Sequence, residues 1–230
     1  MGLDVYVGSL TRYYAESPLA VVERIARQQG VPFTGEAGGA GDEDVIRVAI
    51  LRWRDGLGRW LGDRLPGPLE WDESREAACF TDKPGWEGYG GTLLLAAHDE
   101  HPELPLPAEV SAEWSDDPAY QASLAAGPTS RYDQLLGPEL WLPCRFEFTV
   151  RTHDATGHSV EIGSSVSLLD QLEALRVRRG LAAGPDADPP GEDAVRADGS
   201  LVAAARVGLD HLLRLADRSV ALRLPMKLDF

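Results

Sequence analysis

Cys144-Arg145-Phe146-Glu147-Phe148-Thr149-Val150-Arg151 decides the fold class. Apolar and polar side chains alternate throughout, which is the period of a strand with one buried face. Asp154-Ala155-Thr156-Gly157 then supplies turn residues, and Ser159-Val160-Glu161-Ile162 resumes the alternation. The two runs read as a hairpin. Hairpins pair antiparallel, so the expected class is α+β: a mainly antiparallel sheet with packed helices in a single domain over 1–230.

Both ends of the chain carry the same period. Leu3, Val5 and Val7 alternate with Asp4, Tyr6 and Gly8, and Met226, Leu228 and Phe230 alternate with Lys227 and Asp229. A further short strand is expected within Ala77 to Thr81. Between these strands the apolar spacing turns helical. Ser17-Pro18 opens one helix with Val21, Val22, Ile25 and Ala26 on its face. The small residues of 34–42 read as an exposed loop. A second helix runs from about Asp42 to Leu61, with Ile46, Ile50, Trp53, Leu57 and Trp60 as its core-facing stripe. Asp117-Pro118 begins another, bearing Tyr120 and Leu124. Ser164 or Ser165 caps one with Leu168, Leu169, Leu172 and Leu175. The last, Ser200 to Arg223, lines up Val202, Ala205, Leu209, Leu212, Ala216 and Val220. Residues 180–199 lose all periodicity and are expected to form a mobile internal loop.

The formal net charge is −15. Such a balance opposes binding to nucleic-acid phosphates and to anionic membranes, and suits a basic protein partner. Cys79 and Cys144 are the only cysteines, too few for a disulfide framework or a zinc-binding set. With no secretory signal pattern, the expected compartment is the cytoplasm, with free thiols. No run of residues is long and apolar enough to span a bilayer. The preference for Ala, Gly, Arg and Asp over Lys fits a high-GC bacterial source.

The opening Met1-Gly2-Leu3-Asp4-Val5-Tyr6-Val7-Gly8, the middle Glu139-Leu140-Trp141-Leu142-Pro143-Cys144 and the closing Arg223-Leu224-Pro225-Met226-Lys227-Leu228-Asp229 resemble a family of bacterial cytoplasmic proteins to which no reaction is assigned. The resemblance implies a bacterial cytoplasmic protein and transfers no catalytic residue.

Chemistry-bearing residues crowd into Lys83 to His101. Lys83-Pro84-Gly85-Trp86-Glu87-Gly88-Tyr89-Gly90-Gly91 reads as a glycine-rich loop, followed by a helix from about Gly91 that ends in His98-Asp99-Glu100-His101. The loop lacks the Gly-Lys-Ser/Thr of a phosphate loop and the spacing of a dinucleotide fingerprint, so no cofactor is expected. His98 and His101, three apart on a helix, would share a face and could hold a metal with Asp4 or Asp99. The spacing is not that of a zinc peptidase. Asp4, on the first strand, would need a basic partner if buried, with Arg12 or Arg145 as candidates. Trp86, Trp114 and Trp141 lie among Pro and Gly, and acids flank the first two: Glu87 beside Trp86, and Glu113, Asp116 and Asp117 beside Trp114. Loop indoles beside carboxylates suit recognition of a cationic surface.

The expected function is therefore an acidic cytoplasmic binding protein, of immunity or regulatory type, that masks a basic protein partner through Trp86, Glu87, Tyr89, Trp114, Asp116 and Asp117. Two alternatives stand beside it: a metal-assisted hydrolase built on His98, His101 and Asp4 or Asp99, and small-molecule binding near Trp86 and Tyr89.

Overall fold

The structure is a computed structural model that describes residues 3–15, 40–181 and 199–229. The helix expected after Ser17-Pro18, most of the 34–42 segment and most of the 180–199 loop lie outside the described residues. Strands β1 (Asp4–Val7), β2 (Phe80–Asp82), β3 (Leu140–Leu142), β4 (Val150–His153), β5 (Ser159–Ser164) and β6 (Met226–Asp229) form one sheet in the order β2-β1-β6-β3-β5-β4. Every pairing is antiparallel except β3 with β5. The fold is α+β in a single domain. Strands from the two ends of the chain pair at its centre, with Val5 opposite Leu228.

Helices cover both faces. On one side lie α3 (Gly85–Glu100), α4 (Pro118–Ala126), α5 (Asp133–Leu136), α6 (Ser165–Arg178) and α7 (Leu201–Leu222). They enclose Leu3, Val5, Val7, Trp141, Met226 and Leu228 of the sheet in one apolar cluster. On the other side α1 (Leu10–Ala15) and α2 (Ala40–Leu61) pack over Leu140, Leu142, Val160 and Ile162. The helix starts follow the local chemistry. Asp117 accepts from the N–H groups of Ala119 and Tyr120 and precedes Pro118 at N1, while Ser164 and Ser200 cap α6 and α7. Buried Glu73 accepts from Leu10 N at 3.1 Å and Thr11 N at 2.7 Å, placing a carboxylate at the start of α1.

Three expectations need correction. Residues 144–149 are not a strand: β4 begins only at Val150. The side chains still alternate, with Phe146 and Val150 buried. The carbonyls, however, accept from hydroxyls: Ser164 Oγ donates to Cys144 O at 2.6 Å and Ser167 Oγ to Phe146 O at 2.9 Å. Serines at the start of α6 thus occupy acceptors that a neighbouring strand would have used. Trp60 is not core; it is 59% exposed. The buried residues Ile46, Ile50, Leu57 and Leu61 drift to one side of the stripe, leaving both indoles on its rim. Trp53, at that rim, donates Nε1–H to His153 O at 2.8 Å.

The third correction concerns the glycines of 85–91, which are helical. α3 starts at Gly85, where φ is +65°. Gly88 and Gly91 face α7 so closely that a Cβ on Gly91 would stand 2.8 Å from Ala205 N, and one on Gly88 would stand 3.2 Å from Gly208 N. A Cβ on Gly208 would overlap the Gly88 carbonyl. Thr92 Oγ1 donates to Gly88 O at 2.8 Å and lies 3.2 Å from Ala205 O, joining the two backbones.

Gly208→Ala is therefore expected to destabilise the protein by about 3 kcal/mol through overpacking. Gly56→Ala, on α2 with open space around it, should stabilise by about 0.5–1 kcal/mol. Urea unfolding of both variants measures the contrast; equal effects would deny the close crossing.

Candidate functional site

Helix α3 carries the residues singled out in the sequence, and its faces separate them. Trp86 and Glu87, in its first turn, are exposed, Trp86 by 46%. Tyr89 is buried in the larger cluster. Gly90 lies under Trp114: a Cβ there would meet the indole at 2.9 Å. Trp114, half-buried, stands edge-on to Tyr89 and Tyr120, with centroids 6.3 and 5.2 Å away. Burial, with added repulsion from Tyr120 and Glu139, holds the Tyr89 phenol well above its ordinary range. The short 3₁₀ turn Trp114–Asp116 thus docks on the helix one turn beyond Trp86. Glu113 and Asp116 flank the indole and are exposed. Trp141 lies in the core and donates to Gln134 O at 2.6 Å.

The His-rich end of α3 does not form one site. His98 is buried, with Nε2 3.1 Å from Asp117 Oδ1 and Nδ1 3.4 Å from Leu104 O. His101 instead faces Glu103, at 3.4 Å. Asp99 turns away to accept from Tyr132 Oη at 2.6 Å and Arg131 Nη1 at 3.1 Å, with Arg179 Nε 3.3 Å from its other oxygen. Glu100 accepts from Ser123 Oγ, Ser130 Oγ and Arg131 N at 2.7–2.9 Å. These acids latch α3 to the 123–132 segment. Asp4 lies 3.4 Å from Lys83 Nζ, so its cation is neither Arg12 nor Arg145. Arg145 pairs with Asp170 at 2.7 Å. Among the described residues no group of three or more His, Cys, Asp and Glu is placed to hold a metal ion.

The tertiary structure assembles clusters that the linear sequence does not announce. Asp82 on β2 meets His211 Nδ1 at 2.8 Å and Arg214 Nη2 at 2.7 Å, both on α7. Burial pushes the Asp82 carboxyl up, but the His211 hydrogen bond and charge, Lys83 N–H and Arg214 outweigh it and hold it below its ordinary value. A cleft of about 470 Å³ between α4, α5 and the β4–β5 hairpin is lined by Tyr120, Ser130, Asp133, Thr149, Arg151 and Glu161. Burial raises Asp133 there against hydrogen bonds from Gln171 and Gln134. A second cavity surrounds Lys227. Spacing could not flag the first of these, since Asp82 and Arg214 stand 132 positions apart. Lys227 did leave a trace, because lysine occurs only there and at position 83. Burial pushes the Cys144 thiol up to about 11, against a smaller pull from Arg223, which disfavours its thiolate at neutral pH.

Comparison of the chain with protein-family models, with curated proteins and with solved structures found no match. The reading of the site therefore rests on its own geometry. No helix among the described residues is long and apolar enough to cross a membrane.

Glu100 yields a test of the latch. Burial opposes its charge, yet hydrogen bonds from Ser130, Arg131 N–H and Ser123, with His101 nearby, hold its pKa below the ordinary value. Its depressed pKa stabilises the fold above the usual carboxylate range, and that stabilisation is lost as pH falls through the folded-state value. Glu100→Gln should lower the urea midpoint at pH 7. Its deficit relative to the parent should shrink below about pH 4. A deficit independent of pH would rule out the charged latch.

Proposed function

We propose that this is an acidic binding protein, of immunity or regulatory type and acting in the bacterial cytoplasm, that docks a basic protein partner. The docking face is the first turn of α3 together with the 3₁₀ turn at 114–116. One observation carries this reading: an exposed indole, Trp86, opens a stretch of chain that has carboxylates and no Lys or Arg. No Lys or Arg occurs between Lys83 and Arg131. Within that stretch Asp99, Glu100 and Asp117 are engaged inside the fold. Glu87, Glu113 and Asp116 remain exposed around Trp86 and Trp114.

The physical logic is that of a charged rim around an aromatic anchor. Exposed carboxylates steer a cationic partner and raise its on-rate. The indole supplies contact area that loses little conformational entropy on binding. Trp114 and Tyr89 support the face from beneath: Trp114 fixes the 3₁₀ turn on Gly90, and Tyr89 lies within the core. The six residues expected from sequence therefore divide into contact residues (Trp86, Glu87, Asp116) and supports (Tyr89, Trp114, Asp117), with Glu113 added to the first group.

The test uses a peptide rich in Lys and Arg, titrated while tryptophan emission is followed. Binding is expected to weaken as salt rises from about 50 to 300 mM. Glu113→Lys with Asp116→Lys should cost about tenfold in affinity, whereas Asp55→Lys with Asp63→Lys, an equal charge change on exposed positions elsewhere, should stay within about twofold. Equal losses from the two pairs would reduce the effect to net charge and remove the docking face.

A further inference from the structure

Lysine is almost absent from this chain. Of 22 cationic Lys and Arg residues only Lys83 and Lys227 are lysines. Lys83 is an ordinary surface residue beside Asp4. Lys227 is not. It lies on β6, inside the sheet, opposite Tyr6 of β1 and Leu140 of β3. Its neighbours Met226 and Leu228 point into the larger apolar cluster. Lys227 points the other way, with Nζ 5.4 Å from the centre of the Tyr13 ring. The side chain ends in a cavity of about 340 Å³ lined by Tyr13, Glu139, Asp154, His158 and Asp229.

The amine has Glu139, Asp154 and Asp229 around its cavity. Among the described residues no carboxylate oxygen comes within 4.0 Å of Nζ. Two of the three acids have other donors. Asp154 Oδ1 accepts from Thr156 N, Thr156 Oγ1 and His158 N, and its Oδ2 accepts from Tyr14 Oη at 2.6 Å. Asp229 Oδ1 accepts from Tyr13 Oη at 2.8 Å. Burial shifts the Lys227 ammonium toward the neutral amine, and the charges of Asp154, Glu139 and Asp229 offset part of that shift. An arginine here would stay charged at any working pH; a lysine can release its proton and act as a nucleophile.

We propose that Lys227 is the nucleophilic amine of a small-molecule site that takes a neutral or cationic aldehyde or ketone as an imine. The Nζ lone pair adds to the carbonyl carbon, the C=O π pair moves to oxygen, and one Nζ proton follows it, giving a carbinolamine. The hydroxyl then leaves with the second Nζ proton as water, and a C=N bond remains. One amine and one carbonyl give one imine and one water, with no change of oxidation state. Glu139, on the cavity wall, can carry the proton from nitrogen to oxygen. Glu139, Asp154 and Asp229 together repel an anionic carbonyl compound such as a 2-oxo acid.

The experiment treats the full chain with propionaldehyde and cyanoborohydride at pH 7, which fixes any imine as a secondary amine, and maps the two lysine-bearing peptides by mass. Lys227 should be alkylated faster than Lys83 by about tenfold or more, the scale on which desolvation alters an amine. The preference should vanish in urea, where both lysines are exposed. Pyruvate under the same conditions should label Lys227 no faster than Lys83. Lys227→Arg, with the parent's circular dichroism, should lose the preferred adduct. Labelling confined to Lys83, equal labelling in the folded and unfolded chain, or pyruvate labelling as fast as propionaldehyde would each overturn the proposal.

Discussion

The crossing of α3 on α7 is the contact on which the helical layer depends. Gly88, Gly91 and Gly208 bring the two backbones together, and the Thr92 hydroxyl lies between carbonyls of both helices. An interface built on main chain tolerates no added methyl, because nothing at the contact can rotate aside. Its consequences reach the start of α3 and its outer side. At the start, α7 lies against β2, where Asp82 meets His211 and Arg214 and where Arg218 covers Phe80 at 4.3 Å. On the outer side, Gly90 leaves a bare stretch of helix that Trp114 fills.

The acidic character is distributed by the same geometry. Acids at the end of α3 and at the β4–β5 turn are neutralised or hydrogen-bonded by specific donors, so their charge serves as internal fastening. Glu87, Glu113 and Asp116, around Trp86 and Trp114, are exposed instead. This division is what separates the proposed docking face from a restatement of net charge. It also leaves Lys227 beside Asp154 and Asp229, whose carboxylates accept from other donors, and among the described residues the amine has no bonded counter-ion.

Particular residues show how far the sequence could be read. The β4–β5 hairpin, the two terminal strands, the Asp117-Pro118 cap and the last helix follow from periodicity and capping, which are local properties, whereas the pairing of the terminal strands with each other does not. The glycine-rich segment before Gly91 reads as a loop because glycine is a poor helix former, yet it is helical from Gly85. Its helicity becomes favourable only when a second helix needs that bare surface. Residues 144–149 kept the side-chain alternation of a strand while their carbonyls bonded to serines some twenty positions ahead. His98 and His101 shared a helix but found different acids, Asp117 and Glu103. The carbonyl of Leu104 accounts for the other ring nitrogen of His98.

The sequence by itself determined the class of fold, most helix starts and the sign of the surface, since each depends on neighbours within a few residues or on composition alone. Tertiary structure decided which acids stay free, which glycines are packing surfaces and where the lone interior lysine opens. Those outcomes depend on contacts between segments far apart in the chain, such as Asp82 with Arg214 and Tyr13 with Asp229. The spacing of residues along a chain carries no record of which distant donor will reach a given carboxylate first.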